Sequence, residues 1–103
     1  MSTKKKSGSG KFLEKIVGPL TLGGLIAAIR KGDELSQAVF AKKLKISISH
    51  LSDIENERKA ISAQRARDFA KRLGYSDKQF IRLALQDSLK RQGISYTIEQ
   101  LAA

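Results

Sequence analysis

The chain lacks several residue types on which covalent and metal chemistry depend. It contains no cysteine, which excludes disulfides, thiolate metal sites and cysteine nucleophiles. His50 is the single histidine, so neither a metal cluster nor a serine–histidine pair stands out. No glycine-rich stretch has the spacing of a phosphate-binding loop. The sequence therefore predicts a protein that is not an enzyme and holds no metal or cofactor.

Acidic residues and long apolar runs are also scarce. Lysine and arginine total 20 against 10 for aspartate and glutamate, which gives the 103 residues a net charge of +10. A charge of this size favours a polyanionic partner, with nucleic acid ahead of an anionic membrane. No stretch approaches a transmembrane span, and the N-terminus has no apolar run of signal-peptide length. We expect one cytoplasmic domain that does not enter membranes.

Five segments repeat apolar residues at helical spacing, with serine, threonine or glycine near their ends. They cover residues 20–31, the two stretches that follow Ser36 and Ser47, residues 63–73 and a stretch ending near residue 91. Helices that each bury one apolar stripe pack against one another. The sequence predicts an all-α fold, with a compact five-helix domain over residues 20–93.

The residues before this domain are rich in serine, glycine and lysine. Residues 1–10 read MSTKKKSGSG and offer almost nothing to bury, so we expect a flexible basic arm over residues 1–19. Residues 11–17 are apolar enough for one or two helical turns. Two interpretations remain open: the arm is a solubilising tail, or it contacts nucleic acid through Lys4, Lys5 and Lys6.

The residues after the domain form a short tail, 94–103. Ile94, Tyr96 and Ile98 alternate there with polar residues, which predicts an extended strand. The backbone groups of a lone strand need a partner, or else the terminus frays. The candidate partners are the same tail of a second subunit and a sheet edge on another protein.

The centre of the chain, residues 36–59, reads SQAVFAKKLKISISHLSDIENERK and contains two helical patterns joined by a three-residue break. Ser36 and Ser47 are suited to cap the two helices. Two helices joined by so tight a turn form a helix-turn-helix unit. The predicted buried stripes are Ala38, Phe40, Ala41 and Leu44 in the first helix, and Ile48, Leu51 and Ile54 in the second.

This unit resembles the DNA-binding domain of Cro and the phage repressors, the Xre family, over roughly residues 20–75. The resemblance is carried by Ser36-Gln37, Phe40 to Leu44, Ile46-Ser47, Leu51 and Ile54 to Asn56. Two positions depart from the family pattern, which has glycine where Lys45 and Glu57 stand. Lys45 is therefore either strained in a left-handed conformation or marks a different type of turn, and Glu57 could bring a carboxylate towards DNA phosphates.

The resemblance implies a repressor-type fold and a set of DNA contacts. It places a phosphate contact at Gln37, next to the cap Ser36, where the alternative is an exposed first-turn residue. Ser47, Arg58 and Lys59 flank the second helix at its two ends, where the DNA backbone would run, and are further candidates for phosphate contacts.

In the resembled repressors, the positions of Ile48, Ser49 and Asp53 read base edges. His50 and Ser52 flank them as further candidates for base contacts, and His50 could instead meet a phosphate or remain solvated. Ser49 can donate or accept, Asp53 could accept from a cytosine N4 amine, and Ile48 could either touch a thymine methyl or pack inward.

A nucleoid-associated repressor follows as the expected function, acting as a homodimer on a palindromic double-stranded DNA operator. The overall layout also resembles antitoxins that repress their own toxin–antitoxin operon, with a cognate toxin as partner. The tail residues Ile94, Tyr96 and Ile98 would then contact a second subunit or the toxin. The alternatives are a stand-alone or phage-type regulator, and a basic adaptor that binds RNA or an acidic protein.

Overall fold

The computed structural model describes residues 20–102, which form six α-helices and no strand. The predicted all-α fold is confirmed, and the predicted five helices are the first five observed. The arm contacts Lys4, Lys5 and Lys6 and the predicted turns over 11–17 lie outside the described residues. The helices are α1 (Leu22–Gly32), α2 (Gln37–Leu44), α3 (Ile48–Glu55), α4 (Ala63–Leu73), α5 (Asp77–Arg91) and α6 (Ile98–Ala102).

A hydroxyl group caps the start of each of the first five helices. Each cap accepts a hydrogen bond from the backbone N–H three residues later, which otherwise has no partner within the helix. These bonds explain why the helices begin where the sequence predicts. The caps are Thr21, Ser36, Ser47, Ser62 and Ser76.

The core lies where α1 to α5 meet. Phe40, Phe69 and Phe80 are fully buried and come from α2, α4 and α5. Helix α1 packs on α3 and α5, α2 packs on α3 and α4, and α4 lies along α5. Two residues of the predicted buried stripes, Ala38 and Ile48, are exposed instead, because α2 and α3 are each only eight residues long and bury one narrow face. Those faces consist of Phe40, Ala41 and Leu44 in α2, and of Leu51 and Ile54 in α3.

Helices α1 and α3 approach each other at a glycine. A Cβ atom built on Gly23 would lie 2.2 Å from the backbone oxygen of Ile54. Gly23 therefore allows the two helices to pack closely. This contact sets the distance between α1 and the C-terminal part of α3.

The prediction of a C-terminal strand is wrong. Residues 94–97 have no regular structure, and Ile98 opens helix α6. Thr97 and Gln100 form a reciprocal cap: the Gln100 N–H donates to Thr97 Oγ1 (3.1 Å), and the Thr97 N–H donates to Gln100 Oε1 (2.7 Å).

The Gln86 side chain of α5 satisfies two of the backbone groups for which a strand would need a partner. Its Nε2 donates to the Tyr96 oxygen (3.1 Å), and its Oε1 accepts from the Ile98 N–H (3.0 Å). The segment before α6 is therefore held against α5 without strand pairing. Over residues 20–102, no helix combines the length and the apolarity needed to cross a membrane.

Two glycine substitutions in α1 test the contact with α3. Gly23→Ala places a methyl group against the Ile54 carbonyl, and we expect a loss of about 2 kcal/mol or more in the free energy of unfolding. Gly32→Ala is the matched control, because no atom lies within 4 Å of its added Cβ, and alanine there gains about 0.5 kcal/mol of helix propensity. Chemical denaturation measures both, and equal stability of the two variants would contradict the close approach.

Candidate nucleic-acid interface

The turn between α2 and α3 is built from Lys45, Ile46 and Ser47. Lys45 ends α2 in the left-handed conformation (φ 62°, ψ 43°), and its N–H donates to the Lys42 oxygen at 3.1 Å. The Ile46 N–H donates to the Ala41 oxygen (3.0 Å), and Ile46 is partly buried against the core. The left-handed conformation implied for Lys45 is confirmed, and a non-glycine residue holds it at a cost of about 1 kcal/mol.

Helix α3 is anchored by two residues and exposes a third apolar side chain. Leu51 and Ile54 are buried in the core. Ile48 is 51% exposed, so of its two predicted orientations the structure shows the outward one. Ser49 is also exposed, while His50, Ser52 and Asp53 are half-buried. The start of α3 therefore presents an isoleucine and a serine to solvent on a firmly packed helix.

The C-terminal end of α3 is fixed by an ion pair that sequence reasoning missed. Arg30 of α1 donates through Nε to Glu55 Oε2 (2.7 Å) and through Nη2 to Glu55 Oε1 (2.9 Å). Both side chains are largely shielded, at 14% and 6% exposure. Arg30 Nη1 also donates to the Leu35 oxygen (3.0 Å), which ties in the loop before α2. The only sequence feature pointing to Glu55 was its place in the family-like Ile54 to Asn56 stretch.

Gln37 joins the same network. Its Nε2 donates to Glu55 Oε1 at 3.0 Å, so the amide implied to meet a phosphate contacts α3 within the protein. Burial raises the pKa of Glu55, but hydrogen bonds from Arg30 and Gln37 and the charge of Arg30 outweigh it and hold the pKa below its ordinary value. This stabilisation is present above the ordinary glutamate pKa and is lost as the pH falls through the lowered one.

Asp53, a residue implied to read bases, is paired with both cations implied to bind phosphate. Its Oδ1 accepts from Arg58 Nε at 2.9 Å, and its Oδ2 lies 3.8 Å from Lys59 Nζ. Ser52 Oγ lies within 3.4 Å of Arg58 Nη2 and of Asn56 Nδ2. The structure brings these residues together at the solvent side of the end of α3.

His50 lies beside a cation from α4. Arg65 Nη1 is 3.5 Å from His50 Nδ1, and its guanidinium carbon stands 5.9 Å from the centre of the Phe69 ring. Partial burial, together with the charges of Arg65 and Lys59, lowers the pKa of His50, which favours the neutral imidazole. Arg65 was not among the predicted DNA contacts, because its spacing on α4 does not distinguish a solvated residue from one that contacts a partner.

Glu57 has a left-handed backbone (φ 59°), as expected for a position where the family pattern has glycine. Its carboxylate accepts a hydrogen bond from Thr21 Oγ1 at 3.1 Å. Its backbone oxygen accepts from Arg91 Nη2 (3.1 Å). The carboxylate therefore lies against the start of α1, and its approach to DNA phosphates stays a prediction.

Comparison with known families agrees with this geometry. A helix-turn-helix family model of the Xre and Cro type matches residues 26–80, just over half of the chain. The chain belongs to this helix-turn-helix family. No curated protein and no solved structure shows a significant match.

Membership of the helix-turn-helix family makes residues 26–80 a DNA-binding domain of a kind typical of non-enzymatic regulators. The match begins within α1 and ends at the first turn of α5, so it includes the α2–α3 unit and the Arg30–Glu55 pair. Ser36 and Ser47, implied as phosphate contacts, stand at the starts of α2 and α3 as exposed caps. Ile94 and Tyr96 are exposed in the tail, outside the matched region.

The turn of this helix-turn-helix unit generates a stability test. Lys45→Gly should stabilise the fold by roughly 0.5–1 kcal/mol, because the strain of the left-handed residue disappears while the entropy of the unfolded chain rises. Lys45→Ala is the control, since it removes the same charge and keeps the strain. Thermal melts of the three proteins provide the comparison. A Lys45→Gly protein that melts no higher than Lys45→Ala would argue against strain at this position.

Proposed function

We propose that the protein is a transcriptional repressor that recognises a specific DNA duplex through the outward face of α3. The observation that carries the proposal is that Ile48 and Ser49 are both exposed at the start of α3, while the opposite face of this helix is buried. A short apolar group can contact a thymine methyl, and a hydroxyl can bond to a base edge in the major groove. Buried Leu51 and Ile54 would hold this face still during the encounter.

The surroundings of α3 support a role for the neighbouring residues. The helix starts at Ser36 and Ser47 offer backbone N–H groups and hydroxyls to phosphate oxygens, and the positive ends of both helix dipoles favour an anion there. His50 and Arg65 extend the polar surface beside α3. The net charge of +10 adds a favourable interaction with any duplex, independent of its sequence.

Gln37 has a narrower role in this proposal. Its Nε2 donates to Glu55 in the free protein, but an amide nitrogen carries two N–H groups. One can remain on Glu55 while the other meets a phosphate. Gln37 would then connect the phosphate contact directly to the Arg30–Glu55 pair that positions α3.

The proposal extends to the form of the DNA operator and to the protein partners. A homodimer on a palindromic operator would place two α3 helices in successive major grooves. The exposed apolar residues Leu85, Tyr96 and Leu101, on α5 and the C-terminal segment, leave surface for a second subunit or for a toxin.

The arrangement of a basic arm, a helix-turn-helix domain and a short tail supports an antitoxin that represses its own operon. A neighbouring gene whose product co-purifies with the protein would favour the antitoxin over a stand-alone regulator.

Selection from a randomised duplex library tests the proposed function. We expect the protein to enrich one sequence, and Ser49→Ala to change the preferred base at one or two positions by about threefold to tenfold, the contribution of a single hydrogen bond to a base edge. Ser95→Ala is the matched control, because Ser95 is exposed in the tail and outside the family-matched region. Thermal melts of all three proteins exclude a difference in folding.

Two results would contradict the proposal. An unaltered preference in the Ser49→Ala protein would remove the start of α3 as the reader. Binding to all duplexes alike, abolished by moderate salt, would instead favour the basic adaptor, because purely electrostatic binding carries no sequence information.

A further inference from the structure

The carboxylate of Asp53 is paired with two cations, Arg58 and Lys59, that follow the C-terminal end of α3. Arg58 Nε lies 2.9 Å from one carboxylate oxygen and Lys59 Nζ lies 3.8 Å from the other. The Asp53 side chain is 24% exposed, whereas Arg58 and Lys59 are 58% and 61% exposed. In the free protein the carboxylate is thus paired with the two cations that were predicted to bind DNA phosphates.

The backbone fixes this arrangement. The Arg58 N–H donates to the Asp53 oxygen at 2.8 Å, a bond made possible by the left-handed turn at Glu57. Arg58 is therefore tied to Asp53 by its main chain as well as by its side chain. The two residues cannot separate without unwinding the end of α3, so any exchange of partners must occur at the side chains alone.

We propose that the Asp53–Arg58–Lys59 cluster exchanges partners on DNA, and that a matched base pair drives the exchange. This inference rests on the proposed function of α3 as the reader. Phosphate displaces the carboxylate from Arg58 and Lys59, and the released Asp53 then accepts a hydrogen bond from a cytosine N4 amine. Asp53 is a specificity-determining residue because its release depends on the base that it meets.

The energetics favour exchange on matched DNA only. Exposed ion pairs contribute little to stability, because water and salt screen them, so phosphate can compete for Arg58 and Lys59. A released carboxylate facing the acceptor atoms of guanine or thymine would be left unpaired near phosphates, which is unfavourable. On unmatched DNA, Asp53 therefore keeps its cations, and the protein makes fewer phosphate contacts.

The expected signature is a salt dependence that differs between duplexes. Each phosphate neutralised by a lysine or arginine adds about 0.9 to the slope of log affinity against log salt. The wild-type protein should show a slope steeper by about one to two on a matched duplex than on a scrambled one. A simple phosphate role for Arg58 and Lys59 predicts equal slopes on both duplexes.

The experiment compares Asp53→Asn with Glu99→Gln. Glu99 lies on α6 and forms an exposed ion pair with Arg82 of α5 (3.6 Å). Glu99→Gln therefore raises the net charge by the same amount as Asp53→Asn, but at a place away from α3. Affinities are measured from about 50 to about 200 mM salt for the duplex selected by the wild type and for a scrambled duplex of equal composition. Asp53→Asn should bind the scrambled duplex roughly threefold to tenfold more tightly, with equal slopes on both duplexes. Glu99→Gln should keep the wild-type difference in slope.

Other results would overturn the inference. A wild-type protein that prefers its selected duplex but shows equal slopes would reject the exchange and leave the proposed function intact. A weaker Asp53→Asn protein on both duplexes would mean that Asp53 holds Arg58 in its binding position. A wild-type protein that selects no duplex would reject the inference together with the proposed function.

Discussion

The ion pair between Arg30 and Glu55 is the constraint on which the candidate interface depends. It joins α1 to the end of α3, and Gln37 and the Leu35 oxygen extend it to α2 and the loop before it. Both charges are shielded from water, so removing either partner would leave the other charge uncompensated. Apolar contacts alone could tolerate a small rotation of α3, because they have no strong directional preference. The bidentate Arg30–Glu55 pair is directional and therefore sets where the outward face of α3 points.

Close packing at Gly23 and strained backbone at Lys45 and Glu57 also help to fix the position of α3. Gly23 lets α1 approach the Ile54 carbonyl, and left-handed residues end α2 at Lys45 and follow α3 at Glu57. The last two conformations are unfavourable for residues with a side chain. They persist because the turns they form bury Leu44 and Ile54 at the ends of their helices. The backbone of the helix-turn-helix unit is therefore closely packed at both ends of α3.

Much of the fold could be predicted from the sequence, because the first five helices carry both a hydroxyl cap and an apolar stripe. The tail was mistaken for a strand because Ile94, Tyr96 and Ile98 alternate, although the Thr97-x-x-Gln100 capping box was visible beside them. The side-chain network of Gln37, Arg30 and Glu55 could not be predicted, since Glu55 lies 25 residues from Arg30 and 18 residues from Gln37 along the chain. The Asp53–Arg58 pair could not be predicted either, because the spacing of two exposed, oppositely charged residues does not show whether they pair with each other or face DNA.

We propose that the outward face of α3 meets DNA. Amide chemical shifts measured while the full chain is titrated with its selected duplex test this contact. We expect the largest changes on Ser47, Ser49 and His50 and on the start of α2. Smaller changes are expected at the end of α3, while the amide shifts of residues 94–102 stay close to their values in the free protein. Changes centred on α5 and on residues 94–102, with α3 unaffected, would contradict this role of α3.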